Sequence, residues 1–125
     1  MSKLADYLEQ LDGMQGEITH FLHDWLCVEF GLQAKYRFKI PFYYQNTWVC
    51  YLNPIKKDGV EFNFVRAREL AGHEDILDFK DRVMVAGISL YNVKEIPLRR
   101  LSEIVEEAIL LDETTPYTFS KRKNN

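Results

Sequence analysis

The sequence has little of what would announce a chemistry. Its 125 residues hold two cysteines, Cys27 and Cys50, far apart and in no CxxC pair, and no secretory segment opens the chain. That argues against a disulfide-rich scaffold and for reduced thiols in a cytoplasm. The acids Asp6 and Glu9 interrupt any apolar run of signal-peptide length. The longest weakly polar stretch, residues 83–91, falls far short of the roughly 20 apolar residues a spanning helix needs, so a soluble protein is expected. Neither charge dominates: 16 basic and 19 acidic residues give a formal charge of −3. This leaves no electrostatic footprint for nucleic acid or an anionic membrane. No GxGxxG, phosphate loop, GxSxG or HExxH occurs, and there is no internal repeat.

What is present is the composition of a globular domain, 46% hydrophobic and 28% charged. The length fits one domain, assigned to residues 1–111, with a polar C-terminal tail over 112–125. Leu4, Tyr7, Leu8 and Leu11 recur at helical spacing until Asp12-Gly13 breaks the pattern. A longer helix is predicted over 16–30, stopped by Gly31, with Ile18, Phe21, Leu22, Trp25 and Glu29 along one stripe and Val28 and Leu26 on its two flanks. That stripe, Glu29 aside, is the predicted core face.

From Ala34 the residues become aromatic and β-branched, which is strand chemistry. One strand is predicted over 36–44, interrupted by Pro41, then a Gln45-Asn46 turn and a second strand over 47–52. Pro and Asp-Gly turn residues over 53–59 lead to a third strand over 60–65. Residues 66–81 read as a short helical turn and a loop, 82–92 as a fourth strand flexed at Gly87. Pro97 starts a final helix with Leu98, Leu101, Ile104, Val105, Ala108 and Ile109 on one face. The order predicts an α+β fold: a two-layer sandwich with N- and C-terminal helices packed on one face of an antiparallel sheet.

Five short segments carry a family likeness: Asp6-Tyr7-Leu8, Ile40-Pro41-Phe42-Tyr43, Lys56-Lys57-Asp58-Gly59-Val60, Leu90-Tyr91-Asn92 and Ile104-Val105-Glu106-Glu107-Ala108-Ile109. In that order the chain resembles the YdhG-like family of small bacterial domains, most of them without an assigned function. The resemblance implies a frataxin-like sandwich. It also implies an uncharacterised, non-enzymatic binding domain, some family members being labelled intracellular iron chaperones.

Three groups of residues are candidates for a site. His20, His23, Asp24 and Cys27 fall at i, i+3, i+4 and i+7 on the predicted second helix, opposite its apolar stripe. Such ligands suit iron or zinc, and the same pattern also describes a solvated helix face. No cofactor follows from them with certainty. His73, Glu74, Asp75, Asp78 and Asp81 read as a flexible, solvated acidic loop, since they match no EF-hand spacing. Phe42, Tyr43, Tyr44, Trp48 and Tyr51 crowd the first two strands. Strand alternation forbids all five from facing the helices, so part of the set is expected on the outer face as a ligand or partner surface. Two functions compete: a metal carrier, and an interaction module that docks a protein partner or a second copy as a homodimer. Neither reading involves nucleic acid or a membrane, and no enzyme is expected because no nucleophile has a placed base.

Overall fold

Both N-terminal apolar stripes fold as helices in the computed structural model, which describes residues 2–56 and 58–115. Ser2 caps α1 (Lys3–Gln10) by accepting the Ala5 N–H at 3.0 Å. Helix α2 (Gly13–Asp24) begins three residues before the expected Gly16 and continues into a π-helical turn, Trp25–Glu29. Gly31, at φ 68°, then lets Leu32 N–H reach back to the Leu26 carbonyl at 3.1 Å, which ends the helix.

The wide turn changes which residues reach the core. Ile18, Leu22 and Leu26 are wholly buried, whereas Phe21 is 37% exposed and Val28 78% exposed. Trp25 is half-buried, its ring edge-on to Phe30 at 4.9 Å. The expected stripe of Phe21 and Trp25 is therefore rotated toward Leu26. In an ideal α-helix a repeat of four residues drifts by about 40° per step, and the π turn removes that drift between Leu22 and Leu26.

Five strands form one antiparallel sheet in chain order: β1 (Gln33–Arg37), β2 (Ile40–Tyr44), β3 (Trp48–Ile55), β4 (Gly59–Phe64) and β5 (Ala86–Leu90). The strand expected over 36–44 is a hairpin, β1 and β2 joined at Phe38-Lys39. Both turn residues have positive φ, 52° and 66°, as a two-residue turn between twisted strands requires. No Asn-Gly or Asp-Gly marks it, so the turn is silent in sequence. Pro41 lies outside the β2–β3 pairing, which covers only Phe42 to Tyr44, so its missing N–H breaks no bond there.

Tyr43, Cys50, Phe64 and Ala86 lie across from one another on one sheet face, and Leu52 and Phe62 follow them. These side chains form one buried apolar cluster with Ile18, Leu22 and Leu26 and with Leu101, Ile104 and Val105 of α3 (Leu98–Thr114). The helices thus share this face, as the two apolar stripes demand. The fourth expected strand shortens to β5. Gly87 lies within it, where a Cβ would run into Asn63 and the Phe62 carbonyl.

Helix α3 runs past residue 111 to Thr114, and Asp112, assigned to the polar tail, is 2% exposed. Its carboxylate accepts the Asn46 N–H at 2.7 Å, the Thr47 N–H at 3.1 Å and the Thr47 hydroxyl. A carboxylate at that inner position is stable because the β2–β3 turn offers it three donors. The rest of the expected tail, residues 116–125, lies outside the described residues. Among those described, no helix is long and apolar enough to cross a membrane.

The rotated core face has a direct test. Urea unfolding of Leu26→Ala should show a loss of about 2–5 kcal/mol. Val28→Ala should stay within about 0.5 kcal/mol of wild type. Similar losses for the two would contradict a core face that takes in Leu26 and leaves Val28 outside.

Candidate binding face

Alternation along β1 sends Lys35 and Arg37 to one face of the sheet and Tyr36 to the other. Tyr36 turns toward α1, its ring 6.0 Å from that of Tyr7. Lys35 and Arg37 turn to the face that the helices leave open, where the neighbouring strands present Phe42, Tyr44, Trp48 and Tyr51. The Phe42 ring lies 4.6 Å from Tyr51 and 5.5 Å from Trp48, and Tyr44 lies 5.0 Å from Trp48. Phe38, 75% exposed at the turn, extends the run at 5.6 Å from Phe42.

A β-bulge assembles this face. The β2–β3 pairing runs Tyr43 to Cys50 and then Tyr44 to Trp48, skipping Val49. The skip re-aims Trp48 onto the face of Tyr44, while Val49 and Cys50 both stay buried. Tyr43 departs from the expected surface: wholly buried, it faces the helices, and its hydroxyl lies 2.8 Å from His23 Nδ1. Phe42, Tyr44, Trp48 and Tyr51 are half-buried on the open side.

Cations lie over these rings. The Arg37 guanidinium carbon is 4.8 Å from the Trp48 centroid and 5.2 Å from that of Phe38, and Lys35 Nζ is 4.7 Å from Tyr44. Tyr44 donates its hydroxyl to Gln33 Oε1 at 2.7 Å. Between Arg37, Phe38, Tyr44 and Trp48 opens a cleft of about 800 Å³, with Asn46 and Thr47 at its rim. Asp112 holds that rim from α3. The strands that line the cleft carry charge of one sign, while Asp112 and Glu113 of α3 bond the 45–47 turn at its rim. Residues 30–57 contain five Lys and Arg and no Asp or Glu, in a chain whose net charge is −3. Among the described residues, neither Lys35 nor Arg37 has a carboxylate within ion-pair distance.

Next to Tyr51 the same face changes character. Glu61 on β4 is buried beside Asn63, with Lys80 Nζ at 3.0 Å and Arg82 Nη2 at 3.2 Å from its Oε2. Burial works to raise the Glu61 pKa, but the Asn63 amide, Lys80 and Arg82 outweigh it and hold the carboxyl below its ordinary value. Burial likewise raises the Tyr51 pKa, with Arg82 opposing it.

The loop expected to be flexible is a tied strap. His73 Nε2 lies 2.7 Å from Glu107, Asp75 takes two hydrogen bonds from Arg100 at 2.9 and 3.0 Å, and Asp78 bridges Gly87 through its backbone. Of its four carboxylates, Asp75 is directed to α3 and Asp78 to the backbone, while Glu74 and Asp81 stand exposed. Asp78 accepts the Lys80 N–H at 3.0 Å.

The four helix residues do not share one outward face. His20 is exposed, and its Nε2 lies 2.6 Å from the Leu8 carbonyl of α1. His23 turns inward to Tyr43, and burial lowers its pKa, with His20 adding to the effect and Asp24 opposing it. Cys27 is half-buried against the core, and burial pushes its thiol pKa up, assisted by Asp24. Asp24 alone stays exposed without a hydrogen bond among the described residues. His23 and Cys27 thus turn inward together, while His20 and Asp24 face outward. Among the described residues, no group of three or more His, Cys, Asp and Glu is gathered so as to hold a metal ion.

The sequence reading missed Lys35, Arg37, Phe38, Asp112 and the Glu61–Arg82 pair. The acid-free block over 30–57 was the available signal for the first three. Glu61 and Arg82 are 21 residues apart and carried none.

Glu61 has a pH consequence. A carboxyl with a lowered folded-state pKa stabilises the fold above its unfolded value, near 4.3, and that stability is lost as pH falls through the folded pKa. Wild type should therefore lose more stability than Glu61→Gln between about pH 5 and pH 3. Parallel acid limbs in chemical denaturation would contradict this.

No protein-family model matches the chain. No curated protein matches it either. In three dimensions it is similar to the crystal structure of a DUF1801-family protein, YdhG, from Bacillus subtilis. The two share 16% sequence identity at a TM-score of 0.71, over 90% of this chain and 92% of that one. At that identity the likeness is one of fold, so the resemblance carried by the short motifs holds at that level: the chain has the fold of a YdhG-like protein.

Proposed function

We propose that this is a non-enzymatic binding domain that docks a protein partner on the open face of its sheet. The observation that carries the reading is the continuous run from Phe38 through Phe42 to Trp48, Tyr44 and Tyr51, with Lys35 and Arg37 over its rings. Aromatic and Arg side chains are the residues enriched at the centres of protein interfaces. The helices use the opposite face for the core, so the open face bears no folding load comparable to theirs. The cost of keeping Phe38 and Lys39 at positive φ also fits a surface kept for contact, since a bulky residue there is disfavoured by roughly 1–2 kcal/mol.

Metal carriage, which the frataxin-like resemblance implies, is the weaker reading. Its remaining accessible pair is His20 and Asp24, one turn apart on α2, because His23 and Cys27 turn toward Tyr43 and the core. Two ligands on one helix face hold an ion weakly.

A photo-crosslinking amino acid at position 48, compared with one at exposed position 110 on α3, tests the docking reading in living cells. The expected result is a discrete adduct from position 48 that disappears when Lys35 and Arg37 are both changed to Glu. Identical adduct patterns from the two positions would sink it. Elemental analysis of the purified protein, with iron and zinc titrations of wild type and His20→Ala, addresses the metal reading on its own terms.

A further inference from the structure

The docking face ends at a strand with an open side. β1 pairs with β2 alone, and among the described residues its backbone makes no hydrogen bond to any other element. Arg37 and Ile40 close the two-residue turn and so form a hydrogen-bonded pair. Alternation then commits the amides of Gln33, Lys35 and Arg37 to β2. It leaves the amide and carbonyl groups of Ala34 and Tyr36 directed outward from the sheet. Gln33, Lys35 and Arg37 are themselves exposed.

We infer that β1 is the docking edge for an extended acidic segment of a partner protein, which adds to the sheet as a sixth strand. The inference rests on the docking reading above and gives the partner its chemistry. Main-chain bonds to Ala34 and Tyr36 supply affinity in such an addition, and alternate side chains supply specificity. Two carboxylates spaced two residues apart on the added strand would stand beside Lys35 and Arg37. The residues between them would turn to the other face, beside Tyr36 and α1, where apolar side chains fit. Charge complementarity selects this occupant. The whole block over 30–57 lacks a carboxylate, so these cations have no nearby acid of their own in sequence.

The same charges disfavour other occupants. A second copy pairing edge to edge would set Lys35 and Arg37 against their own equivalents, and like charges facing across strands are destabilising. Single-stranded nucleic acid would need aromatic faces free for stacking and a longer track of cations. Here Arg37 and Lys35 already lie over Trp48 and Tyr44, and the chain as a whole is acidic.

The test uses the full chain and a synthetic nine-residue peptide alternating Glu with Val, beside a control peptide with Lys in place of every Glu. Amide hydrogen exchange by NMR reads the edge, and Trp fluorescence titration reads affinity. The Glu peptide should bind at least tenfold more tightly than the Lys peptide and should slow exchange at Ala34 and Tyr36. The amides of Lys35 and Arg37, already bonded to β2, should change less. A Lys35→Glu, Arg37→Glu double variant should weaken binding about tenfold or more while its thermal unfolding stays cooperative.

Binding of the Glu peptide without added protection at Ala34 and Tyr36 would overturn strand addition while leaving the docking face in place. Failure of both peptides to bind would overturn the acidic-strand proposal, whereas the docking reading falls only if position 48 also gives no specific adduct. Protection of the same two amides by protein concentration alone, or by a ten-nucleotide thymidine strand, would overturn it in favour of a second copy or of nucleic acid.

Discussion

The burial of β4 on both of its faces is the constraint from which the rest of the structure follows. Every residue from Gly59 to Phe64 is buried. Val60, Phe62 and Phe64 point into the helix layer, where they meet Leu22 and Ile104 in one apolar cluster. Glu61 and Asn63 point to the other side, where a bare carboxylate without partners would be costly. The strap over residues 73–85 answers that demand. It brings Lys80 and Arg82 to Glu61, pairs its backbone with Gly87 and is moored to α3 through His73 and Arg100. Gly87 must be glycine for the Asn63 side chain and the Phe62 carbonyl to approach so closely.

Covering one half of the outer sheet face in this way leaves the other half open. Arg82 of the strap lies beside Tyr51. Beyond it lie Phe42, Trp48, Tyr44 and Phe38, on strands that, among the described residues, no helix covers from that side. The bulge at Val49 and the turn at Phe38-Lys39 add to this surface by moving aromatic side chains onto it. Cation–π contacts from Arg37 and Lys35 shield the ring faces from water at an exposed site, each worth about 0.5–1 kcal/mol. A sheet with one half strapped by ion pairs and the other half aromatic and basic has two chemically distinct surfaces from one strand order.

The helix layer accounts for the residues that the sequence pattern had set aside for metal. A tyrosine in the middle of β2 needed a partner for its hydroxyl, and His23 provides it across the layer. Once His23 is used there, and Cys27 packs against the core, the four-residue pattern on α2 splits into an inward pair and an outward pair. Helical spacing established that these side chains share a region of the helix. It carried no information about which neighbour each would meet.

Much of the architecture was legible in the amino-acid order, because it rests on local signals. Periodic leucines and isoleucines marked the helices, Gly31 ended the second and Pro97 opened the third. The run of β-branched and aromatic residues marked the sheet, and Asp58-Gly59 marked a hairpin. These features depend on the conformational preferences of residues near one another, which sequence carries directly. Tertiary structure alone decided the rest: that Phe38-Lys39 is a turn, that Leu26 is wholly buried in the core while Trp25 packs against it half-buried, that Trp48 shares a face with Tyr44, and that Glu61 meets Arg82. Each of these is fixed by contacts between residues distant in the chain or by a single skipped or added residue in a turn. A bulge or π turn inverts the facing of a side chain without changing its identity, so no periodicity in the sequence can report it.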